Sequence, residues 1–329
     1  MQLLECVPNF SEGRDLKVLL EIENAIQSIS GIKLLHKDVG FDANRTVFTF
    51  IGIPEAVIEA AYEAINVAAQ CIDMRKHKGA HPRIGATDVC PLIPYANISV
   101  EEANMYAHQL AKNVGEVLGI PVYCYEESRL KDERKSLEYI RKGEYEALGK
   151  KIKQKEWKPD YGSTINFPQT GATVIGVRNF LIAYNINLAT RNVEIAKKIA
   201  SQIRTSGFST TNESGTKINT SGYFQHCKAI GWDMPEYDCT QISTNLTNFK
   251  VTNMQQVYEK VRELASENNV NINGSELIGL VPLEAIITAG KYYTSSNIET
   301  EIIDAAIENL GLHSVVPFEK NKRIIEYLL

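Results

Sequence analysis

Apolar positions along this chain alternate between two spacings. Over residues 16–29 they recur with helical period (Leu19, Leu20, Ile22, Ala25, Ile26), behind a turn, Ser11-Glu12-Gly13-Arg14-Asp15, that can cap a helix. Residues 46–53 alternate and are rich in β-branched and aromatic types, which predicts a strand. Further strands are predicted at 3–9, 32–38, 88–93 and 121–125. Pro54 opens a helix to about residue 72, and Ser99 with Glu102 three residues on marks a capping box for a helix over 100–118. A second such series follows: strands at 180–188, 229–232, 241–251 and 277–281, and helices at 193–203, 254–265, 283–289 and 298–310.

Two α+β units, each a mostly antiparallel sheet covered by helices, fit this order better than one parallel doubly wound sheet. No GxGxxG follows a strand and no Walker-type glycine loop occurs, so nucleotide folds gain no support.

Between the series, residues 129–158 hold eleven lysines and arginines against six acids, with Tyr139, Tyr145 and Trp157 interleaved. A solvated helix face is the expectation for such a run, and a positive wall beside an anionic ligand is the alternative. Residues 159–171 have no periodicity and read as a long ordered loop, where binding residues tend to lie.

Composition narrows the classes. The 329 residues allow two domains, and 44% hydrophobic with 23% charged residues is ordinary for a globular protein. A net charge of −5 gives no footing for general nucleic-acid binding, and no apolar run approaches the roughly 20 residues of a membrane span. The N-terminus has no signal-peptide pattern, so a cytoplasmic protein is expected. The six scattered cysteines then read as reduced, buried thiols. A nucleophilic Cys90 near His81 is the less favoured alternative to a small buried strand residue.

The densest chemistry lies in His77-Lys78-Gly79-Ala80-His81-Pro82-Arg83 and the Asp88-Val89-Cys90-Pro91 beyond it. Gly79 permits a positive φ and Pro82 keeps the backbone at His81 extended, so this imidazole is presented from a stiff turn, as a proton-transfer group or as a hydrogen-bonded structural histidine. His77 and His81 stand four apart, but Gly79 and Pro82 interrupt the helix a metal pair would need, and no metal site is expected.

These segments carry a resemblance. Glu5-Cys6-Val7-Pro8-Asn9-Phe10-Ser11-Glu12-Gly13, Asn44-Arg45-Thr46-Val47, His81-Pro82-Arg83 and Asp88-Val89-Cys90-Pro91 are similar to the formiminotransferase family. So are, in the second half, Gly171-Ala172-Thr173-Val174, residues 180–188, Ser243-Thr244-Asn245-Leu246 and Gly279-Leu280-Val281-Pro282. The resemblance runs in order along the whole chain. It implies two similar ferredoxin-like subdomains, with mostly antiparallel or mixed sheets, divided as 1–179 and 180–329. It also implies a homodimer, and a one-carbon transferase that moves the formimino group of N-formimino-L-glutamate to N5 of tetrahydrofolate in histidine degradation. Family members are free-standing or fused to a cyclodeaminase. This chain resembles the free-standing kind, for which a separate cyclodeaminase is a conceivable partner. Tetrahydrofolate, polyglutamylated or not, is then a co-substrate, and no metal or prosthetic group is implied.

The family's catalytic histidine matches His81. Its folate-contacting loop matches Gly162, Ser163, Thr164, Ile165, Asn166, Phe167, Pro168, Gln169, Thr170 and Gly171. Asp38, at the end of a predicted strand, is the candidate to orient the imidazole, or else a turn-capping carboxylate. Because both substrates are carboxylates and a guanidinium matches a carboxylate bidentately, Arg45 and Arg83 are the expected holders, or structural ion-pair partners. Formyl transfer from N-formylglutamate and non-catalytic folate binding remain the alternatives.

Overall fold

A computed structural model of the chain describes residues 1–79, 81–163, 167–212, 214–314 and 317–329, and all side chains there except that of Glu236. It divides into two units, 1–178 and 179–329.

The first unit opens with β1 (Leu3–Cys6), β2 (Asn9–Phe10), α1 (Leu16–Gln27), β3 (Lys33–Gly40), β4 (Arg45–Gly52), α2 (Pro54–Cys71) and β5 (Thr87–Ala96). The expected single strand over 3–9 is split at Val7-Pro8, because a proline nitrogen cannot donate to a ladder. Counting β1 and β2 as one strand, this is a β-α-β-β-α-β unit whose sheet runs β3-β4-β1/β2-β5, antiparallel throughout. The chain then adds α3 (Val100–Glu116), β6 (Val122–Cys124), α4 (Leu137–Arg141), α5 (Glu144–Lys151), α6 (Phe167–Thr170) and β7 (Thr173–Val177). Here β7 pairs parallel to β5 and β6 pairs parallel to β7, so the sheet becomes mixed.

Local chemistry starts these helices. Asp15 accepts from the Lys17 and Val18 amides, and Ser99 with Glu102 closes the predicted capping box. One core joins Phe10, Phe48 and Phe50 of the sheet to Leu19, Ile22 and Ile26 of α1 and Val57, Ala61 and Ile65 of α2. Each large side chain there contributes roughly 1.5–3 kcal/mol by full burial.

A second cluster joins Val89, Tyr123 and Val174 of the sheet to Ile140 and Leu148. The basic run is therefore no solvated face throughout. Its apolar residues seat α4 and α5 on the sheet, and Arg134 is 1% exposed. Six of its lysines (Lys135, Lys142, Lys150, Lys153, Lys155, Lys158) do face solvent.

The second unit contains β8 (Ile182–Leu188), α7 (Val193–Ile203), β9 (Phe208–Thr211), β10 (Lys217–Thr220), β11 (Cys227–Met234), β12 (Cys239–Leu246), α8 (Met254–Glu267) and β13 (Ile272–Ile278). Four helices follow: α9 (Leu283–Tyr293), α10 (Glu299–Asn309), α11 (Lys320–Arg323) and α12 (Ile325–Leu328). Its four-stranded sheet runs β11-β12-β8-β13, antiparallel, which is the same order as the first unit's opening strands. The α+β expectation of two similar sheet-and-helix units holds.

Two strand limits move. β12 stops at Leu246, where the Val251 and Thr252 amides both turn back to the Asn248 carbonyl. β13 ends at Ile278 because Gly279 takes a φ of +75°. Among the described residues no helix is long and apolar enough to cross a membrane.

Candidate active site

Three segments far apart in sequence meet in the first unit. Ser11 Oγ donates to the Gly85 carbonyl at 2.7 Å, and Thr46 Oγ1 donates to the Glu12 carbonyl at 2.7 Å. Asn44 joins all three: its Oδ1 accepts from the Gly13 amide at 2.9 Å and its Nδ2 donates to the Lys78 carbonyl at 2.9 Å. The Asn9–Arg14 turn, the Asn44-Arg45 start of β4 and the histidine loop are thus one hydrogen-bonded body.

His81 and Arg45 come together within it. Arg45 Nη1 lies 2.5 Å from His81 Nε2. A guanidinium only donates, so Nε2 is the acceptor and a neutral imidazole carries its proton on Nδ1. Burial, then the charges of Arg45 and Arg141, push the imidazole pKa from 6.5 down to about 3. His81 is therefore uncharged at neutral pH. Its Nδ1 and the Nε of Arg141 are both buried without a hydrogen-bond partner among the described residues. Orphaned groups of this kind in a native protein fit a polar ligand.

Arg141 reaches this cluster through Asp88. The Asp88 carboxylate is 1% exposed, accepts from the Ile84 amide at 2.9 Å with one oxygen, and pairs with Arg141 through the other. Arg141 was not singled out from the sequence, and Asp88 was named only as part of the motif Asp88-Val89-Cys90-Pro91. The available signal was a carboxylate heading the apolar run Val89-Cys90-Pro91-Leu92, which cannot be buried there without a cation.

Two of the sequence candidates stand apart from the His81–Arg45 contact. Asp38 lies on β3 opposite Val47, where its charge acts on Arg45, and no hydrogen bond joins it to His81. The group that meets the imidazole is a guanidinium, because the histidine loop is bonded to Asn44, the residue before Arg45. Arg83 is not an open carboxylate holder. Its fork is taken by Glu146 (2.7 and 2.8 Å) and Glu144 (2.8 Å), and its Nε donates to His77.

Cys90 is fully buried and its Sγ lies 3.5 Å from that of Cys6, so packing accounts for it. Cys71 departs from the buried-thiol expectation, since it is exposed and meets Glu21 at 3.1 Å.

In the 162–171 segment, Thr164, Ile165 and Asn166 lie outside the described residues. Gly162 takes a φ of +83°, in a turn against the Ile120 carbonyl where a Cβ would collide. Ser163 is exposed. The remainder is a helical turn, where a plain loop was expected, and it is tied down firmly. Phe167 packs in the second core cluster, and Tyr145 donates its hydroxyl to the Pro168 carbonyl. Gln169 accepts from Met74, and Thr170 accepts from Ala86 at 2.7 Å. Gly171 pairs with Gly85 so closely that a Cβ on either would sit 2.1 Å from a backbone oxygen. That bridge docks the end of the segment onto the strand following His81. A hollow of about 420 Å³ opens beside it, walled in part by Pro168, Gln169, Thr170 and Arg75.

Comparison with known proteins extends the picture. Residues 3–178 match the description "Formiminotransferase domain, N-terminal subdomain", and residues 183–329 match "Formiminotransferase domain". The chain is 45% identical over its full length to a formimidoyltransferase-cyclodeaminase of Rattus norvegicus, of which it covers 60%. It is 42% identical to a glutamate formimidoyltransferase of Thermoplasma acidophilum and 38% to one of Streptococcus pyogenes, over 90% and 89% of this chain and 94% and 93% of theirs. The chain thus spans about 60% of the longer relatives' length and nearly all of the shorter ones'.

Proposed function

The chain belongs to the formiminotransferase family, and from that premise we infer that it transfers the formimino group of N-formimino-L-glutamate to N5 of tetrahydrofolate. The observation that carries the reading is the neutral, half-buried imidazole of His81 set against Arg45 where three motif segments converge. Subdomains divided as 1–179 and 180–329, a homodimer and a cytoplasmic place of action are parts of the same reading.

N5 attacks the amidine carbon with its lone pair and must lose its proton, while the departing glutamate nitrogen must gain one. His81 takes the first proton and delivers the second as the tetrahedral intermediate collapses, ending unchanged. The free imidazole is a weak base while two arginines crowd it. A substrate carboxylate drawn to Arg45 and Arg141 neutralises that field, frees the Nε2 lone pair and raises the pKa toward neutrality. Arg45 and Arg141 replace Arg83 as the carboxylate holders in this reading. Asp38 then serves as a charge partner of Arg45.

Folate fits a site with orphaned donors, an anchored 167–171 segment and exposed lysines nearby in sequence.

The direct test is a transfer assay with tetrahydrofolate, run with N-formiminoglutamate and N-formylglutamate in parallel. Turnover with the formimino donor is expected. Turnover with the formyl donor alone would change the reaction, and tight folate binding with no turnover from either would make this a binding protein.

Two further outcomes are expected. Arg45→Met should raise KM for the donor about 10–100-fold, the loss of a charge-assisted bond, and move the His81 titration upward because a neighbouring cation is gone. NMR titration of the imidazole checks the sign, and no upward movement would remove Arg45 from the site. If the exposed lysines of 135–158 draw a polyglutamate tail, KM for polyglutamylated folate should rise with added salt, while the monoglutamate responds less. Equal responses would sink that idea.

A further inference from the structure

The histidine loop holds a second imidazole that this chemistry leaves unused. His77 is 8% exposed and both its nitrogens are engaged: Arg83 Nε lies 3.1 Å from Nδ1, and Nε2 lies 2.9 Å from the Asn44 carbonyl oxygen. Arginine only donates, so Nδ1 accepts, the proton stays on Nε2, and Nε2–H donates to Asn44. The partners thereby dictate one tautomer. On the outer side Arg83 is clamped by Glu146 and Glu144. On the inner side Asn44 has a φ of +46°, the left-handed region, with its side chain pinned to Gly13 and Lys78. Gly79 lets the loop approach closely, since a Cβ there would sit 2.2 Å from the Ala43 oxygen. The next residue after Asn44 is Arg45, the one that meets His81.

We propose that Glu146, Arg83, His77 and Asn44 form a positioning relay that holds Arg45 against His81, with His77 as its tautomer-locked middle member. Asparagine tolerates the left-handed region, so the bonds around Asn44 rather than its intrinsic preference fix where the backbone then leads. His77 supplies the bond to the backbone carbonyl, and Arg83 anchors the ring from its other side in the tautomer that makes it. Protonated His77 would aim an N–H at the Arg83 N–H, so the relay needs it neutral. The charged groups facing His77 are Arg83, Glu12 and Arg14, and those facing His81 are Arg45 and Arg141. The relay rests on the reading of His81 as the proton-transfer group, but its test reads a titration as well as turnover, so the two can fail separately.

The experiment is an NMR titration of the imidazoles in the full chain, with the His81 signal assigned by its loss in His81→Ala. Wild type is compared with His77→Leu, His77→Gln and Arg45→Met. A glutamine can donate its amide to Asn44 and accept from Arg83 through its oxygen, whereas leucine can do neither. In His77→Leu the His81 titration should move up in the direction Arg45→Met moves it, with donor KM raised about 10–100-fold and kcat changed less, since displacements near an ångström have effects of this order. His77→Gln should restore both. On an Arg45→Met background His77→Leu should add nothing further to KM, as members of one unit are not additive. A folded His77→Leu protein with His81 unmoved would overturn the relay, whatever its melting temperature. If that variant does not fold, Arg83→Met, which removes the ring's outer anchor, carries the same comparison, and an unmoved His81 there overturns it equally.

Discussion

Replacing His81 with alanine is expected to lower kcat for formimino transfer by about 10²–10⁴-fold, the usual worth of a positioned acid–base group. The fold should survive. The imidazole's hydrogen bond is to Arg45, while the loop is held by others: Ser11 to Gly85, Asn44 to Lys78, Asp88 to the Ile84 amide, and the Arg83 pairs. Single-turnover kinetics beside thermal unfolding would separate the two effects, and a kcat within threefold of wild type would strip His81 of its role.

The pH behaviour follows from the direction of the shift. A histidine whose pKa is about 3 when folded and near 6.5 when unfolded binds its proton more readily in the unfolded chain. Its contribution to stability is thus intact above about pH 6.5 and is lost as pH falls toward 3. His81→Ala should flatten that acid dependence. In the unliganded protein no limb of kcat/KM near pH 6.5 should belong to His81.

The largest effect on stability is expected at Arg134. Its guanidinium is 1% exposed, pairs with Asp160, donates to the Lys158 carbonyl at 2.7 Å and lies 4.8 Å from the Tyr123 ring centre. Asp160, with a side chain 5% exposed, also accepts from the Cys124 amide at 2.8 Å, so the pair ties 129–160 to strand β6. Arg134→Met removes one partner and leaves a buried carboxylate uncompensated, costing about 3–5 kcal/mol. Adding Asp160→Asn should recover part of that loss, since the stranded charge is gone. Denaturant unfolding of the three variants measures it, and a single-variant loss under about 1 kcal/mol would show the pair to be worth no more than a surface one.

What could be read in advance follows physical periodicity. Helices α2 and α3 were legible because Pro54 and the Ser99–Glu102 box mark their starts. The hairpin of β9 and β10 was not, because Phe208–Thr211 and Lys217–Thr220 lie almost wholly in solvent and bury no alternate face. Strand β7 escaped because five buried residues on a central strand lack alternation altogether. At the site, His81 and Arg45 were legible as residues but their contact was not, since it depends on a loop folding back onto Asn44 from 36 positions away. Arg134 and Arg141 were hidden in a charge run whose buried apolar residues are Ile140, Leu148 and Ile152.

Strand β5, which carries Asp88, has partners on both edges: β1 and β2 on one side and β7 on the other. Its counterpart in the second unit, β13, pairs with β8 alone among the described strands. An edge strand can fray by losing one ladder, but an internal one opens only when the sheet around it comes apart. By extending the first sheet past β5, the chain has moved the footing of the His81 and Asp88 cluster from a part that breathes locally to one that opens only with its whole unit. On the proposed reading, substrate entry relies on loops and side chains, with the floor beneath them fixed.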